Sequence, residues 1–366
     1  MAKESLAVKY RPKTFDDMTE QSAIKDILMN QLETKTFQHG YLFTGPAGTG
    51  KTTSARIFAN MINAGKGNPI EVDAASNSGV DNIRQIIEDA KRKPLDAEYK
   101  IFIVDECHSL SNGAWQALLK TLEEPPKFTI FIFCTTDPQK IPNTILSRVQ
   151  RYNFQKISNK GIVKRLNDII IAENREMTEN AGGSQDAIND IEWAKHEGIS
   201  CIDCNEDAIE YIAKVSNGGM RDAITLLDKC LSLSPDLTLE NVLKTIGAED
   251  YDVFFNFIFA LVKQDKQICI DIIEEVCNSG KDVKQFLKDF SKFILDVEKY
   301  LIYENTNYIN IPATDENIKD LEELSEHKDE IFRSMDFVIN LNSQIKWDSD
   351  PKTLIELSIL IYCGKE

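Results

Sequence analysis

The sequence predicts an α/β domain with a parallel sheet and helices on both faces, followed by two helical parts. Three observations carry this. Short apolar runs alternate with helix-period segments from residue 41 to 155, the strand signal stops from about Ser158, and a Gly-rich stretch, Gly45-Pro46-Ala47-Gly48-Thr49-Gly50-Lys51-Thr52-Thr53, joins the first run to the first helical segment. Strands alternating with helices imply parallel pairing, because each crossover helix must pack back on the sheet.

The apolar runs are Tyr41-Leu42-Phe43, Ile70-Glu71-Val72, Ile101-Phe102-Ile103-Val104 and Thr129-Ile130-Phe131-Ile132-Phe133. The third is apolar throughout, as a strand covered on both faces should be. Between the runs, Ala55, Phe58 and Ile62 share one helical face, as do Val80, Ile83 and Ile87, and Trp115, Leu118, Leu119 and Leu122. Beyond Ser158, Ile209, Ile212, Ala213 and Val215 mark a helix that stops at Gly218-Gly219. Ala223, Leu226, Leu227 and Cys230 mark the next. Val283, Leu287, Phe290, Ile294, Val297 and Leu301 recur at fours and threes. That spacing reads as the buried seam of a helical bundle, with a coiled coil as its rival. The expected parts are 1–157, 158–240 and 241–366. The polar stretch within 172–193 reads as a mobile surface insertion, acidic near 173–195.

At 366 residues the chain is long for one domain, and 42% hydrophobic residues suffice for a substantial core. No run approaches the roughly 18 apolar residues of a membrane span, and the first residues lack the apolar centre of a signal peptide. Eight scattered cysteines suggest a reducing compartment, hence a cytoplasmic setting. The net charge of −17 is uneven: residues 1–165 hold 23 Lys+Arg against 18 Asp+Glu, and the remainder 19 against 41. Only the mildly basic front part is suited to phosphates.

The Gly-rich stretch fits G-x-x-x-x-G-K-[ST] in its strand–helix context. Gly45, Gly48 and Gly50 would let backbone amides, with those of Thr49 and Thr53, close around phosphates at a helix N-terminus. Lys51 would reach the β/γ-phosphates, and the Thr52 hydroxyl would hold Mg²⁺. A Gly-rich turn with a surface lysine is the competing reading. The run "IFIVDECH" ends an apolar strand in two carboxylates: Asp105 would ligate Mg²⁺ and Glu106 would orient and polarise the attacking water. An ordinary acidic strand end is its rival, and Cys107 and His108 are read as structural. Hydrolysis also needs positive charge near the γ-phosphate. Arg148, just past the last strand signal, and Arg221, at a helix start, are the candidates, with surface solvation as the default.

Taken together, "VKYRPKTFDDMTEQ", "GPAGTGKTTSAR", "EVDAASNSGVDNIR", "IFIVDECHSLSNGAWQALLKTLEEPP", "CTTDPQKIPNTILSR" and "NGGMRDAITLLDK" closely resemble the gamma/tau family of bacterial DNA polymerase III clamp-loader subunits, which are AAA+ ATPases. The resemblance is dense over 6–157, clear over 205–230 and weak after 240. It implies an AAA+ P-loop domain, a helical lid (158–240) and an all-α collar (241–366) that assembles five subunits into a ring. Its further implications are ATP and Mg²⁺ as cofactors, and a sliding clamp and primer–template DNA as partners. By the same resemblance, Tyr10, Arg11 and Pro12 lie near the adenine, Thr136 is the first sensor, Arg221 the second, and Arg148 a finger completing a neighbour's site. Arg84, Lys120 and Lys140 match positions that contact DNA phosphates. For Arg84 the alternative is a helical pair with Glu88, and for both lysines plain solvation. Lys91-Arg92-Lys93 reads as a charged helix end.

Several departures qualify the resemblance. The segment "NMINAGKGNPIEVDAAS" replaces the family's four-cysteine zinc module, so no zinc is expected, and Cys201-x-x-Cys204 lacks a second pair. Val149 follows Arg148 where relatives carry cysteine, and Asn77 and Gly79 stand at places often basic. The sequence stops where a tau form would continue, so the long extension of that form is not expected. These features point to a diverged relative, from an unusual bacterium or a virus infecting bacteria. Two other functions compete: a catalytically silent stator of such a ring, and another DNA-dependent AAA+ motor such as a branch-migration helicase. Intact Lys51, Thr52, Asp105 and Glu106 oppose the first, and a helical rather than winged C-terminal domain discriminates the second.

Overall fold

The computed structural model describes residues 4–180, 201–246, 250–346 and 348–364. Two compact units divide the chain, residues 1–242 and 243–366.

In the first unit, five parallel strands, β1 (Gly40–Thr44), β2 (Ile70–Asp73), β3 (Lys100–Asp105), β4 (Thr129–Thr135) and β5 (Gln150–Asn153), form one sheet in the order β2-β3-β4-β1-β5. Alternate side chains enter opposite layers. Tyr41, Phe43, Ile103 and Ile132 pack on one face with Phe58, while Leu42, Phe102, Val104 and Phe133 pack on the other with Trp115. Every residue of β4 is buried, which is why its run carries almost no polar side chain.

Helices α1 (Leu6–Lys9) and α2 (Ser22–Thr34) precede β1, and α3 (Lys51–Ile62) follows it. Next come α4 (Val80–Ala90), α5 (Asn112–Glu123) and the short α6 (Asn143–Leu146). Ser111 caps α5, its hydroxyl accepting from Ala114 N at 3.2 Å. The helical remainder of the unit contains α7 (Asn159–Asn180), α8 (Glu206–Val215) and α9 (Met220–Leu233), with α10 (Leu239–Ile246) at the boundary between the units.

Three sequence expectations need correction. A fifth strand, β5, lies beyond the last apolar run; only Tyr152 of its four residues is buried, so an edge strand of this kind carries no apolar signal. Strands also recur after Ser158, where Asp203–Cys204 (β6) pairs in parallel with Asp236–Leu237 (β7), two residues each and too short to show a period. Finally, residues 172–180 are not a mobile surface insertion: they form the last turns of α7, with Glu173, Asn174 and Thr178 buried. The rest of the expected insertion, 181–195, lies outside the described residues.

The second unit is helical among its described residues: α11 (Asp250–Val262), α12 (Lys266–Asn278), α13 (Val283–Tyr303), α14 (Asp315–Leu324), α15 (Lys328–Ile345) and α16 (Pro351–Tyr362). The seam on α13 packs in a common core with Phe257, Ile273, Val338 and Ile355, so it belongs to a bundle rather than to a coiled coil. Phe257 and Phe290 pack with ring centroids 4.7 Å apart and their planes tilted by 58°. Aspartates cap α12, α13 and α16 at their N-termini. No described helix is long and apolar enough to cross a membrane.

Candidate active site

In a parallel sheet all strands end at one edge, and ligands bind there. Register brings the sequence motifs together at that edge. Thr44 of β1 lies opposite Thr135 of β4, Val104 of β3 opposite Phe133 of β4, and Asp105 of β3 opposite Asp73 of β2, so the chain leaves β1, β4, β3 and β2 in that order along the edge. A cavity of about 300 Å³ opens there, lined by Gly48, Gly50, Lys51, Thr52, Thr53, Asp105 and Glu106 on one side. Its other side is Tyr10, Arg11, Pro12, Arg165 and Arg221.

The loop after β1 is held by close approach. At Gly45, with φ +141°, an added Cβ would meet Phe154 O at 2.4 Å. At Gly48, with φ +70°, it would meet Gly219 Cα at 2.9 Å, and Met220 N donates to Gly48 O at 3.0 Å. Thr49 Oγ1 closes the turn on Pro46 O at 2.9 Å. Lys51 starts α3 and is only 6% exposed; its Nζ donates to Gly45 O at 2.8 Å and Pro46 O at 2.7 Å. Burial pulls the Lys51 ammonium below its ordinary value. Arg11 is likewise lowered, first by burial and then by the guanidiniums of Arg56 and Arg221.

Opposite the loop, Thr52 Oγ1 donates to Asp105 Oδ2 at 2.8 Å, and Glu106 N donates to Asp105 Oδ1 at 3.0 Å. Glu106 sits at φ 45°, left-handed backbone that a non-glycine residue adopts at a cost of about 1–3 kcal/mol. Its carboxylate is held from two sides: Thr136 Oγ1 donates to Oε2 at 3.2 Å, and His108 Nδ1 stands 3.2 Å from the same oxygen. His108 Nδ1 also lies 3.1 Å from Thr135 Oγ1. The sequence reading treated His108 as structural; its contact with Glu106 follows from the short 3₁₀ turn Cys107–Ser109, which a motif scan does not register.

These residues fit a nucleotide triphosphate with a divalent ion. Buried Lys51 and crowded Arg11 hold positive charge that an anion would relieve, and Thr52 and Asp105 are adjacent hard oxygen donors of the kind Mg²⁺ takes. No group of three or more metal-capable His, Cys, Asp or Glu occurs among the described residues; Cys201 is buried and Cys204 lies in β6.

Other predicted residues lie elsewhere. Arg148 does not line the cavity; its guanidinium pairs with Glu123 Oε1 at 2.5 Å and donates to Thr144 O at 2.5 Å. Arg84, on α4, pairs with Asp81 at 3.1 Å rather than with Glu88, which pairs with Lys91 at 2.5 Å. Lys120 is exposed on α5, and Lys140 pairs with Asp137 at 3.2 Å. The structure does not gather these three with the cavity residues. Sequence reading missed Arg165 of α7, which lines the cavity's far side, and Glu173 of the same helix, which stands behind Tyr10.

Residues 70–158 match the family profile described as DNA polymerase III, delta subunit. The DNA polymerase III subunit tau of Bacillus subtilis is 34% identical over 99% of this chain and 64% of its own. The DNA polymerase III subunit gamma of Buchnera aphidicola is 26% identical over 97% of each. The chain thus spans less than two thirds of the Bacillus relative, and from 41% to 50% of three further gamma/tau relatives. Among solved structures, the Thermotoga maritima RuvB Holliday junction branch migration motor aligns with TM-score 0.47 and 18% identity over 69% of this chain and 79% of its own. A likeness at that score carries no argument about activity. With a P-loop α/β fold at its N-terminal end, the chain is a homologue of the bacterial DNA polymerase III gamma/tau subunits over nearly its whole length.

Proposed function

We propose that this chain is an ATP-hydrolysing subunit of a sliding-clamp loader, in which ATP binding drives clamp opening and primer–template binding, and hydrolysis releases the clamp. The observation that supports it most is the convergence of Lys51, the Thr52–Asp105 pair and the doubly held Glu106 on one cavity, in a homologue of gamma/tau subunits. A silent stator has no use for such a set.

When bound, ATP supplies the phosphoryl group and Mg²⁺ neutralises charge on its oxygens. Lys51 Nζ exchanges the carbonyls of Gly45 and Pro46 for phosphate oxygens, and the amides of the 45–53 loop close on the same anion. Thr52 and Asp105 hold the ion; Thr136 keeps Glu106 Oε2 fixed while Glu106 takes a proton from the attacking water. Tyr10, Arg11 and Pro12 form the base side of the site, and Arg221 reaches the phosphates from α9. Arg148, turned away on Glu123, serves a neighbouring subunit. In this reading residues 158–240 act as the lid and 241–366 as the collar of a five-subunit ring. Arg84, Lys120 and Lys140 meet DNA phosphates, and the protein works in the cytoplasm.

ATP turnover by the purified chain is expected to be low, and to rise when the other loader subunits, the clamp and primed DNA are added. In that assembly Arg148→Ala should cut turnover by roughly 10³-fold, as loss of an arginine finger does. No hydrolysis in any combination would remove the proposal. Full turnover by a demonstrably monomeric preparation would remove the finger assignment.

A further inference from the structure

The cavity's far wall is a short segment, residues 6–12, that belongs to no sheet strand and must be held from outside. Leu6 is fully buried, and its N–H donates to Asp228 Oδ2 of α9 at 3.1 Å. The remaining anchors come from α7. Arg165 donates to Tyr10 O at 3.0 Å, Tyr10 OH donates to Glu173 Oε1 at 2.8 Å, and Lys9 Nζ donates to both Glu173 Oε1 and Glu176 Oε2. Arg165, Ile169, Glu173 and Glu176 recur at fours and threes, so one face of α7 carries all the α7 contacts. Glu173 is 5% exposed. A buried carboxylate is tolerated only where partners satisfy it, and here a single oxygen collects an ammonium and a phenol.

We propose that Glu173 is a positioning residue of the nucleotide site: through Tyr10 and Lys9 it fixes the base-side wall, residues 10–12, against the glycine loop, so that nucleotide affinity depends on a carboxylate of helix α7. The inference rests on the nucleotide-binding reading above. Burial and the bond to Glu173 raise the Tyr10 phenol to about 12, so it stays a donor at any physiological pH. For Lys9 burial opposes the charge, but the bonds to Glu173 and Glu176 outweigh it and the ammonium is raised. Both partners are therefore locked in the protonation state that Glu173 binds. Glu173 touches no reacting atom, so its loss should appear in binding and not in chemistry.

The test compares the full chain with Glu173→Ala, Glu173→Gln and Tyr10→Phe. It measures equilibrium binding of a fluorescent ATP analogue, steady-state ATP hydrolysis and thermal unfolding. Glu173→Ala should raise Kd and KM about ten-fold while kcat changes less than two-fold. Glu173→Gln keeps an oxygen for Tyr10 and should return affinity to within about three-fold of the unaltered chain. Tyr10→Phe deletes only the hydroxyl and should weaken binding about three-fold, which decides the matter if Glu173→Ala does not fold. Unchanged affinity in folded Glu173→Ala or in Tyr10→Phe overturns the proposal, as does a loss of kcat that parallels a lower melting temperature. If the unaltered chain binds no nucleotide, the functional reading fails and takes this inference with it. If it binds and the variants bind equally, only this inference fails.

Discussion

On one side of the cavity stand Lys51, Thr52, Asp105 and Glu106, delivered by two short motifs, one following β1 and the other at the end of β3. On the other stand Tyr10, Arg165 and Arg221, delivered by three segments separated by up to about two hundred residues of chain and backed by Glu173. Each motif of the first wall is set by local geometry, because a strand end and a tight turn place its groups, and the sheet then brings Thr52 to Asp105. The second exists only because α7 and α9 pack where they do. Under the proposed function, the first wall would carry the chemistry and the second would set nucleotide affinity.

Substitutions on each wall should separate these roles. The largest effect is expected from Glu106→Gln, which keeps the shape of the side chain but removes its basicity. Turnover should fall by about 10²–10⁴, the usual worth of a general base, while equilibrium ATP binding stays intact. Normal turnover would strip Glu106 of its role.

Lys51→Met should come next, weakening ATP binding roughly 100-fold, equivalent to about 3 kcal/mol for a lost charge-assisted contact. The same change should raise the stability of the nucleotide-free chain to urea. The folded-state Lys51 is pulled below its ordinary value by burial, so holding it protonated at neutral pH opposes folding. A variant both weaker in binding and less stable without nucleotide would contradict this balance.

The smallest effect is expected where the two walls meet. Gly48→Ala places a Cβ against Gly219 Cα at 2.9 Å in a left-handed backbone, and Met220 N donates to Gly48 O across the same joint. The joint should loosen at a cost of about 1–3 kcal/mol, read as a lower urea midpoint with modestly weaker nucleotide binding. An unchanged midpoint would mean that the walls are not joined there.

The two walls also differ in how legible they were. The apolar runs announced β1, β3 and β4 because strands buried on both faces leave no room for polar side chains, whereas the half-exposed β2 showed only as the alternation Ile70-Glu71-Val72. β5 escaped notice because only Tyr152 of Gln150–Asn153 is buried, and β6 and β7 because two residues show no period. The loop glycines, Lys51, Thr52, Asp105 and Glu106 were readable because their chemistry demands fixed spacing. Glu173 was hidden in a polar stretch that resembled a surface insertion, since composition cannot reveal that one carboxylate in it meets Lys9 and Tyr10. His108 was passed over for a similar reason: a 3₁₀ turn of three residues, Cys107–Ser109, turns it back onto Glu106.

By itself the sequence determined the α/β plan, the helical remainder and the groups suited to meet phosphates, because hydrophobic period and motif spacing are local quantities. Only the tertiary structure decided that Glu106 is held by Thr136 and His108, that Arg148 rests on Glu123 away from the cavity, and that α7 holds Lys9 and Tyr10. Apart from the local Glu106–His108 contact, those are meetings between residues from about 25 to more than 160 positions apart, and only the packing of buried faces brings such residues within hydrogen-bonding distance.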